Sequence, residues 1–145
     1  MKTKLNYVLL IALHMLYNCG GSQPKRNDII GIWKSSDNSY IELNENGTCL
    51  LKGIDYYKIS SFPKNKNRKL DVGGTWQFTE NAESGIIDNL DSGIIIEYSL
   101  PEGIKGEILF YISGKGIKGN NPPWHLFIWD GDPDEMQKYE FIKDK

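Results

Sequence analysis

The run Tyr40-Ile41-Glu42-Leu43-Asn44-Glu45-Asn46-Gly47-Thr48-Cys49-Leu50-Leu51-Lys52 carries the clearest fold signal in the sequence. Two short stretches rich in apolar residues flank Asn46-Gly47, and both turn residues tolerate the positive φ angles of a type I′ hairpin turn. The run therefore predicts antiparallel strands at Ser39–Leu43 and Thr48–Lys52. Asn46-Gly47-Thr48 also matches an N-glycosylation acceptor, but we interpret it as the hairpin turn.

Short runs of β-branched and aromatic residues, separated by Gly, Asn, Asp and Pro, continue along the chain from Ile29. Such runs predict strands, and no later segment of ten or more residues has apolar residues at helical spacing. Within Lys105–Ser113 both faces carry apolar groups, as in a barrel wall. We expect a nearly all-β domain with about eight or nine strands, at Ile30–Lys34, Ser39–Leu43, Thr48–Lys52, Ile54–Ile59, Thr75–Thr79, Gly93–Ser99, Lys105–Ser113, Trp124–Trp129 and Lys138–Lys143.

The segment Ser60–Leu70 is predicted to be an exposed loop because it contains proline and four cations. A loop of this kind either binds an anionic partner or forms an ordinary solvated surface. The sequence leaves both interpretations open. The four cations are Lys64, Lys66, Arg68 and Lys69.

The N-terminus has the organisation of an export signal. Two lysines precede an apolar run at Tyr7–Tyr17, which is too short to span a bilayer because a spanning helix needs about 20 residues. The run ends at Leu16-Tyr17-Asn18-Cys19-Gly20, which resembles the lipobox of bacterial lipoproteins. Met1–Asn18 is therefore expected to be a signal peptide, and Cys19 the residue that carries the lipid, including palmitate. An uncleaved anchor and an ordinary secretory peptide are the alternatives.

The residues from Cys19 to Asp28 are small and polar, so they are predicted to form a flexible tether before a domain of residues 29–145. Removal of the signal peptide leaves 15 basic and 19 acidic residues, a net charge of −4. This mild acidity disfavours nucleic-acid binding, which needs clustered Lys and Arg. Cys49 lies in an apolar run and is expected to be a buried small hydrophobe. A disulfide between Cys49 and Cys19 is possible only if Cys19 carries no lipid.

Two short motifs give the sequence a family resemblance. Gly31-Ile32-Trp33, followed by Tyr40–Leu43, resembles the opening of the small bacterial lipocalin-like lipoproteins, and Gly74-Thr75-Trp76 is a second partial copy. The resemblance implies an antiparallel up-and-down β-barrel of about eight strands, closed so that no sheet edge is exposed. Trp33 and Trp76 are expected to plug one end of this barrel.

The sequence contains no recognisable catalytic motif. His125 is the only histidine beyond the signal peptide, and no Gly-x-Ser-x-Gly elbow is present, so we interpret His125 as a strand-entry residue. Gly114–Gly119 superficially resembles a phosphate-binding loop, but it lacks the Ser or Thr after Lys and the following helix. It is expected to be a flexible turn at the barrel rim. We predict no enzymatic activity and no cofactor.

An acidic run separates the last two predicted strands. Asp130, Asp132 and Asp134 alternate along it and could converge as oxygen ligands for calcium. The run departs from an EF-hand loop, which needs glycine at its sixth position and glutamate at its twelfth, where this chain has Glu135 and Phe141. The alternative interpretation is a polar turn shaped by the aspartate side chains and a proline.

Two functions fit these features. The first is a non-catalytic lipoprotein that holds a small apolar or amphipathic ligand in its barrel mouth, because 15 of the 17 aromatic residues remain once Tyr7 and Tyr17 are removed. The alternative is a protein-binding envelope module, such as an inhibitor or immunity-type protein. Gly20 is not the aspartate that retains many lipoproteins in the inner membrane, which favours an outer-membrane lipoprotein facing the periplasm.

Overall fold

The computed structural model describes residues 21–60, 67–82, 92–116 and 121–144, so the predicted signal peptide and Cys19 lie outside the described residues. Each strand pairs antiparallel with its neighbours in sequence, and the last strand returns to pair with the first. The domain is therefore an all-β, closed up-and-down barrel, as the sequence predicts. Its strands are β1 (Gly31–Lys34), β2 (Tyr40–Leu43), β3 (Thr48–Asp55), β4 (Lys69–Thr79), β5 (Gly93–Ser99), β6 (Lys105–Lys115), β7 (Asn121–Trp129) and β8 (Lys138–Lys143).

Two one-turn helices accompany the described strands. They are α1 (Arg26–Ile29), which precedes β1, and α2 (Tyr56–Ile59), which follows β3. A 3₁₀ turn at Pro133–Glu135 lies between β7 and β8. None of the described helices is long and apolar enough to cross a membrane.

The Asn46-Gly47 turn joins β2 to β3 where the sequence places it, but its geometry differs from the predicted type I′ turn. Only Gly47 has a positive φ, of 83°. The Asn44 N–H donates to the Thr48 carbonyl at 2.9 Å, and the Asn46 side chain accepts from the Thr48 N–H at 3.0 Å. This pattern is typical of a three-residue hairpin loop in which a glycine takes the single left-handed position.

The predicted strand Ile54–Ile59 is not a strand of its own. Its first two residues end β3, and the other four form α2. Gly53 has a φ of 65°, and the β3–β4 register shifts beside it. The Asp55 carboxylate then accepts a hydrogen bond from the backbone of α2 at 3.0 Å and caps the helix. The pattern of apolar residues does not predict a bulge or a helix cap.

The barrel has two ends, which we call the α2 end and the N-terminal end. The α2 end also carries the connections that follow β1, β5 and β7, whereas the N-terminal end carries α1 and the β2–β3 turn. At the N-terminal end, the Trp33 indole N–H donates to the Ile29 carbonyl at 2.7 Å, and the Trp76 indole N–H donates to the Asn44 carbonyl at 2.8 Å. Both tryptophans are buried, so they close this end as predicted.

The structure differs from the expected tether in the last part of that segment. Pro24 is buried. The Arg26 guanidinium lies 4.8 Å from the centre of the Trp76 ring, and the Lys143 ammonium donates to the Asp28 carbonyl at 2.7 Å. The sequence predicts that these polar residues are solvated. In the structure, they contact the Trp76 ring and the Lys143 ammonium at the end of the barrel. The folded domain therefore begins near Pro24 rather than at residue 29.

Apolar side chains fill the barrel interior. The rings of Phe110 and Phe141 meet edge to face with centroids 5.7 Å apart, and both side chains are fully enclosed. An eight-stranded barrel is narrow enough for side chains to fill its axis. The buried core comprises Ile29, Trp33, Ile41, Leu43, Cys49, Leu51, Ile54, Leu70, Trp76, Ile94, Ile96, Tyr98, Leu100, Ile108, Phe110, Ile112, Trp124, Leu126, Ile128, Tyr139 and Phe141.

Replacing Trp33 with phenylalanine should lower the free energy of unfolding by about 2 to 4 kcal/mol, because the Ile29 carbonyl loses its donor and a void replaces part of the indole. Urea unfolding followed by circular dichroism measures the change. Ile142, whose side chain is 52% exposed, provides the control, since Ile142→Val should cost less than about 0.5 kcal/mol. Equal losses in the two variants would contradict the role of Trp33 as an end plug.

Candidate functional site

The candidate site is a cleft at the α2 end, bounded by α2, the start of β6 and the end of β7. Its volume is about 530 Å³, which falls within the range of small-molecule sites. Ile108 and Ile128 form an apolar floor, and both side chains also belong to the barrel core. Its rim is polar and aromatic and includes Tyr57, Lys58, Ser60, Glu107, Trp129 and Asp130.

The cleft exists because β6 and β7 separate towards the α2 end. The register between them begins at the pair Tyr111–Phe127 and runs from there towards the N-terminal end. On the other side of that pair, β6 remains paired with β5 as far as Lys105, and β7 remains paired with β8 as far as Trp129. Strands that separate in this way leave main-chain N–H and C=O groups on two facing edges. The barrel wall is therefore split at one corner.

Trp129 forms one wall of the cleft. Its indole N–H is buried and has no hydrogen-bond partner among the residues that the structure describes. The ring packs edge to face against Phe127, with centroids 5.3 Å apart, and the Lys138 ammonium lies over both rings. A buried donor without an acceptor costs roughly 1 to 3 kcal/mol. An acceptor on a bound molecule would remove that cost.

An ion pair joins α2 to the end of β7 across the cleft. The Lys58 ammonium lies 2.7 Å from the Asp130 carboxylate, and the two side chains are 32% and 27% exposed. The same ammonium lies 4.8 Å from the centre of the Tyr139 ring. Because this pair is partly shielded from water, salt screens its attraction less than that of a fully exposed pair. The pair holds α2 over the barrel mouth.

A buried polar network lies beneath α2. The Tyr139 hydroxyl oxygen lies 2.6 Å from the Ser39 hydroxyl oxygen, and Tyr139 donates to the Asp37 carboxylate at 3.1 Å. The Ser39 hydroxyl donates to the other oxygen of Asp37, and the Asp55 N–H donates to Tyr139 at 3.3 Å. Ser39 and Tyr139 are only 1% and 3% exposed. The network therefore ties together the β1–β2 connection, β8 and the end of β3, where Asp55 caps α2.

The network holds its two titratable groups in different protonation states. Burial raises the pKa of the Tyr139 hydroxyl to about 12. Burial also acts to raise the pKa of Asp37, but hydrogen bonds from the Ser39 hydroxyl, the Ser39 N–H and Tyr139 outweigh it, so the pKa lies below its ordinary value. At neutral pH a protonated phenol thus donates to an ionised carboxylate. General acid–base catalysis would instead favour pKa values near the working pH.

The structure does not bring the three carboxylates of the predicted calcium loop together. Asp130 pairs with Lys58, and the Asp132 carboxylate accepts from the Asp134 N–H at 3.0 Å. The described ranges contain no group of three His, Cys, Asp or Glu side chains that could hold a metal ion. The Asp132 contact is the side-chain turn of the alternative interpretation. Calcium binding stays a prediction that this geometry does not support.

The other residues proposed from sequence lie away from the cleft. His125 lies inside β7 rather than at its entry, and its Nδ1 is 2.8 Å from Glu140 Oε1. Cys49 is buried as predicted, and burial raises the pKa of its thiol to about 11, so the thiol stays protonated at neutral pH. Of the four cations in the predicted loop, the structure describes Arg68 and Lys69, and Lys69 belongs to β4. Lys64 and Lys66 lie outside the described residues.

The run Gly114–Gly119 is described only as far as Gly116. Gly114 lies in β6, where a Cβ atom would stand 2.1 Å from the Asn121 carbonyl oxygen. A side chain at this position would collide with β7. The close approach of two strands therefore explains this glycine without a phosphate ligand.

Sequence reasoning missed the split between β6 and β7, the helix α2 and the polar network. The position of Tyr139 in the sequence could have indicated a buried hydroxyl. It lies two residues before the inward-facing Phe141, on the same face of β8, and a buried tyrosine hydroxyl needs a partner. Its partner Ser39 lies 100 residues earlier in the chain. Only the fold brings the two residues together.

Comparisons of the chain with protein-family models, with curated proteins and with solved structures gave no match. The resemblance carried by Gly31-Ile32-Trp33 therefore stays a prediction. The barrel fold rests on the strand pairing itself.

Tyr139→Phe should remove an alkaline titration from the folded protein. In the wild type, absorbance at 295 nm should show a tyrosine that ionises near pH 12 rather than near the usual value of about 10. Because the unfolded chain loses this proton first, the free energy of unfolding should fall as pH rises between these values, and it should fall less in Tyr139→Phe. Tyr111→Phe, on the outer face, is the control, and an unchanged titration in Tyr139→Phe would contradict the assignment.

Proposed function

We propose that this protein is a non-catalytic, lipid-anchored module of the bacterial cell envelope and that it binds another protein. The filled barrel interior is the observation that carries this proposal. Because Trp33, Phe110 and Phe141 are fully enclosed within the barrel, recognition falls to the outer surface and to the α2 end. Peptide-binding domains commonly use such surfaces, including open sheet edges and grooves.

The enclosed polar network supports a non-catalytic role. Ser39, Asp37 and Tyr139 combine a hydroxyl, a carboxylate and a phenol, which are groups that catalytic sites also use. The two hydroxyl-bearing side chains are almost completely buried, and each hydroxyl is already engaged with the Asp37 carboxylate. Their hydrogen bonds serve to hold the α2 end in shape.

A small apolar or amphipathic ligand is the second candidate, and the cleft is the observation that favours it. The apolar floor and the buried indole N–H of Trp129 would suit a molecule with one polar acceptor. The cleft lies on the outer surface, and Tyr57 on its rim is 45% exposed, whereas small-molecule sites usually enclose roughly 70 to 90% of their ligand. The openness of the cleft therefore favours a protein partner over a small molecule.

The N-terminal segment supports an orientation for the anchored barrel. Pro24 and α1 pack on the N-terminal end, and a lipid on Cys19 would be attached only two residues before Gly21. An extended chain spans at most about 3.5 Å per residue, so that attachment would lie within about 7 Å of Gly21. The N-terminal end would then face the membrane. In an outer-membrane lipoprotein, the α2 end would project into the periplasm.

Cys19→Ala should move the protein from the membrane fraction to the soluble fraction and abolish incorporation of labelled palmitate, because the residue that carries the lipid is gone. Cys49→Ala is the matched control and should leave both properties unchanged, since Cys49 is enclosed in the core. Fractionation and metabolic labelling measure the two effects. Membrane association that persists in Cys19→Ala would instead support an uncleaved anchor.

The full chain, cross-linked in intact envelopes and purified in detergent, should retain one protein at a constant molar ratio. Quantitative mass spectrometry of repeated preparations measures that ratio. Native mass spectrometry of uncross-linked material distinguishes the second candidate, which predicts an added small-molecule mass on the barrel itself. Repeated recovery of the chain with neither addition would count against both functions.

A further inference from the structure

On the basis of the protein-binding function proposed above, we propose that the edge of β6 at the α2 end binds an extended segment of the partner, which adds to the sheet as a further strand. The site is the split between β6 and β7, together with the cleft beside it. Strand addition of this kind takes its affinity from main-chain hydrogen bonds and its specificity from side-chain pockets.

The direction of the main-chain groups in β6 follows from its pairing with β5. The Ile112 N–H donates to the Ser92 carbonyl at 3.0 Å, on the β5 side. The β5–β6 register then runs without a shift from Gly93–Tyr111 to Ser99–Lys105. Main-chain groups of successive residues alternate between the two edges of a strand. Those that face the split therefore belong to Lys105, Glu107 and Leu109.

The end of β7 faces the same split from the other side. The Asp130 N–H donates to the Gln137 carbonyl at 3.0 Å, on the β8 side, so the main-chain groups of Trp129 point towards β6. If the β6–β7 ladder continued, Phe110 would lie opposite Ile128, and Leu109 and Trp129 would form the next hydrogen-bonded pair, but the register contains neither pair. Within the described chain, the main-chain groups of Glu107 and Leu109 that face the split have no strand partner.

The shape of the cleft favours a single extended chain over the edge of a second barrel. The α2 residues and the Asp130-Gly131 turn flank the β6 edge, and the Lys58–Asp130 ion pair crosses the cleft. A second barrel would bring neighbouring strands about 4.8 Å apart against these flanks. A single segment has no such neighbours. Pairing along Lys105–Phe110 would engage about six residues, or roughly 20 Å of extended chain.

The side chains around the cleft define the chemistry of the segment. Alternate side chains of an added strand would face the apolar floor, so they are apolar. The Trp129 indole N–H has no acceptor within the described chain, and a polar group of the segment would supply one. Lys58 is already paired with Asp130, whereas Glu107 has no ion pair among the described residues. The partner segment therefore alternates apolar and polar residues and carries Lys or Arg opposite Glu107.

Selection of peptides tests this site directly. A phage-displayed library of random peptides of about eight residues, enough to cover the six-residue edge, is selected on the processed, lipidated full chain in detergent. Synthetic copies of selected peptides are then measured by fluorescence anisotropy. N-methylation at alternate residues, on the side that pairs with β6, should weaken binding at least tenfold. N-methylation at the intervening residues should weaken binding much less, because those N–H groups point away from β6 and only Trp129 of β7 lies on that side.

Two variants connect binding to the named residues. Glu107→Gln should weaken binding of a Lys- or Arg-bearing peptide by about twofold to fivefold, since it removes one opposite charge at an exposed position. Glu97→Gln is the matched control, because Glu97 lies directly opposite on β5 and does not line the cleft. In NMR spectra, peptide should shift the amides of Glu107, Leu109 and Trp129 and the indole N–H of Trp129, which gains an acceptor.

Several results would overturn the site. These are a selection that yields no binding peptide, affinity that is insensitive to N-methylation, and shifts that map to the N-terminal end. Protection of the same amides by self-association, without peptide, would assign the edge to a second copy and also overturn the proposal. An envelope partner that binds Glu107→Gln and Glu97→Gln equally would refute the site but keep the protein-binding function. Edge-binding peptides without any envelope partner would keep the site and refute the function.

Discussion

Closure between β1 and β8 is the constraint on which the rest of this barrel depends, because only Trp33–Lys143 and Lys34–Ile142 form the ladder that joins them. β1 has only four residues, so other contacts supplement the seam. The Asp144 N–H donates to the Ile32 carbonyl at 2.8 Å, and the Asp144 carboxylate pairs with Lys34 at 2.6 Å. Once the ring is closed, the inward side chains of all eight strands share one enclosed space and pack it densely.

A filled axis changes where a barrel can bind. A barrel with an open axis can bind a ligand in its interior and keep a continuous wall. Here, core side chains occupy the interior, and the wall is split between β6 and β7. The split leaves main-chain groups exposed beside the apolar floor of the cleft, where α2 and the Lys58–Asp130 pair restrict access. The hydrogen bonds around Tyr139 join the elements of this end, so an added segment would meet a preformed edge and require little ordering of the barrel.

Much of the fold could be predicted from local sequence, and little of the site could be. Seven of the predicted strands, beginning with Ile30–Lys34, match observed strands apart from their ends, and Thr75–Thr79 proved to be the end of the longer β4. The segment Ile54–Ile59 was wrong as a strand because the bulge at Gly53 and the cap at Asp55 depend on hydrogen bonds, not on hydropathy. The contacts of Arg26 with Trp76 and of Asp28 with Lys143 could not be predicted either, since they join residues far apart in sequence.

The sequence by itself determined the all-β class, the antiparallel order, the apolar groups on both faces of β6 and the burial of Trp33, Trp76 and Cys49. These features follow from turn residues and from side-chain periodicity, which are properties of neighbouring residues. Only the tertiary structure decided that the axis is filled, that β6 and β7 separate beyond Tyr111, and that Trp129 keeps a buried donor without an acceptor in the described chain. Those outcomes depend on register and packing between strands far apart in sequence, which no local pattern specifies.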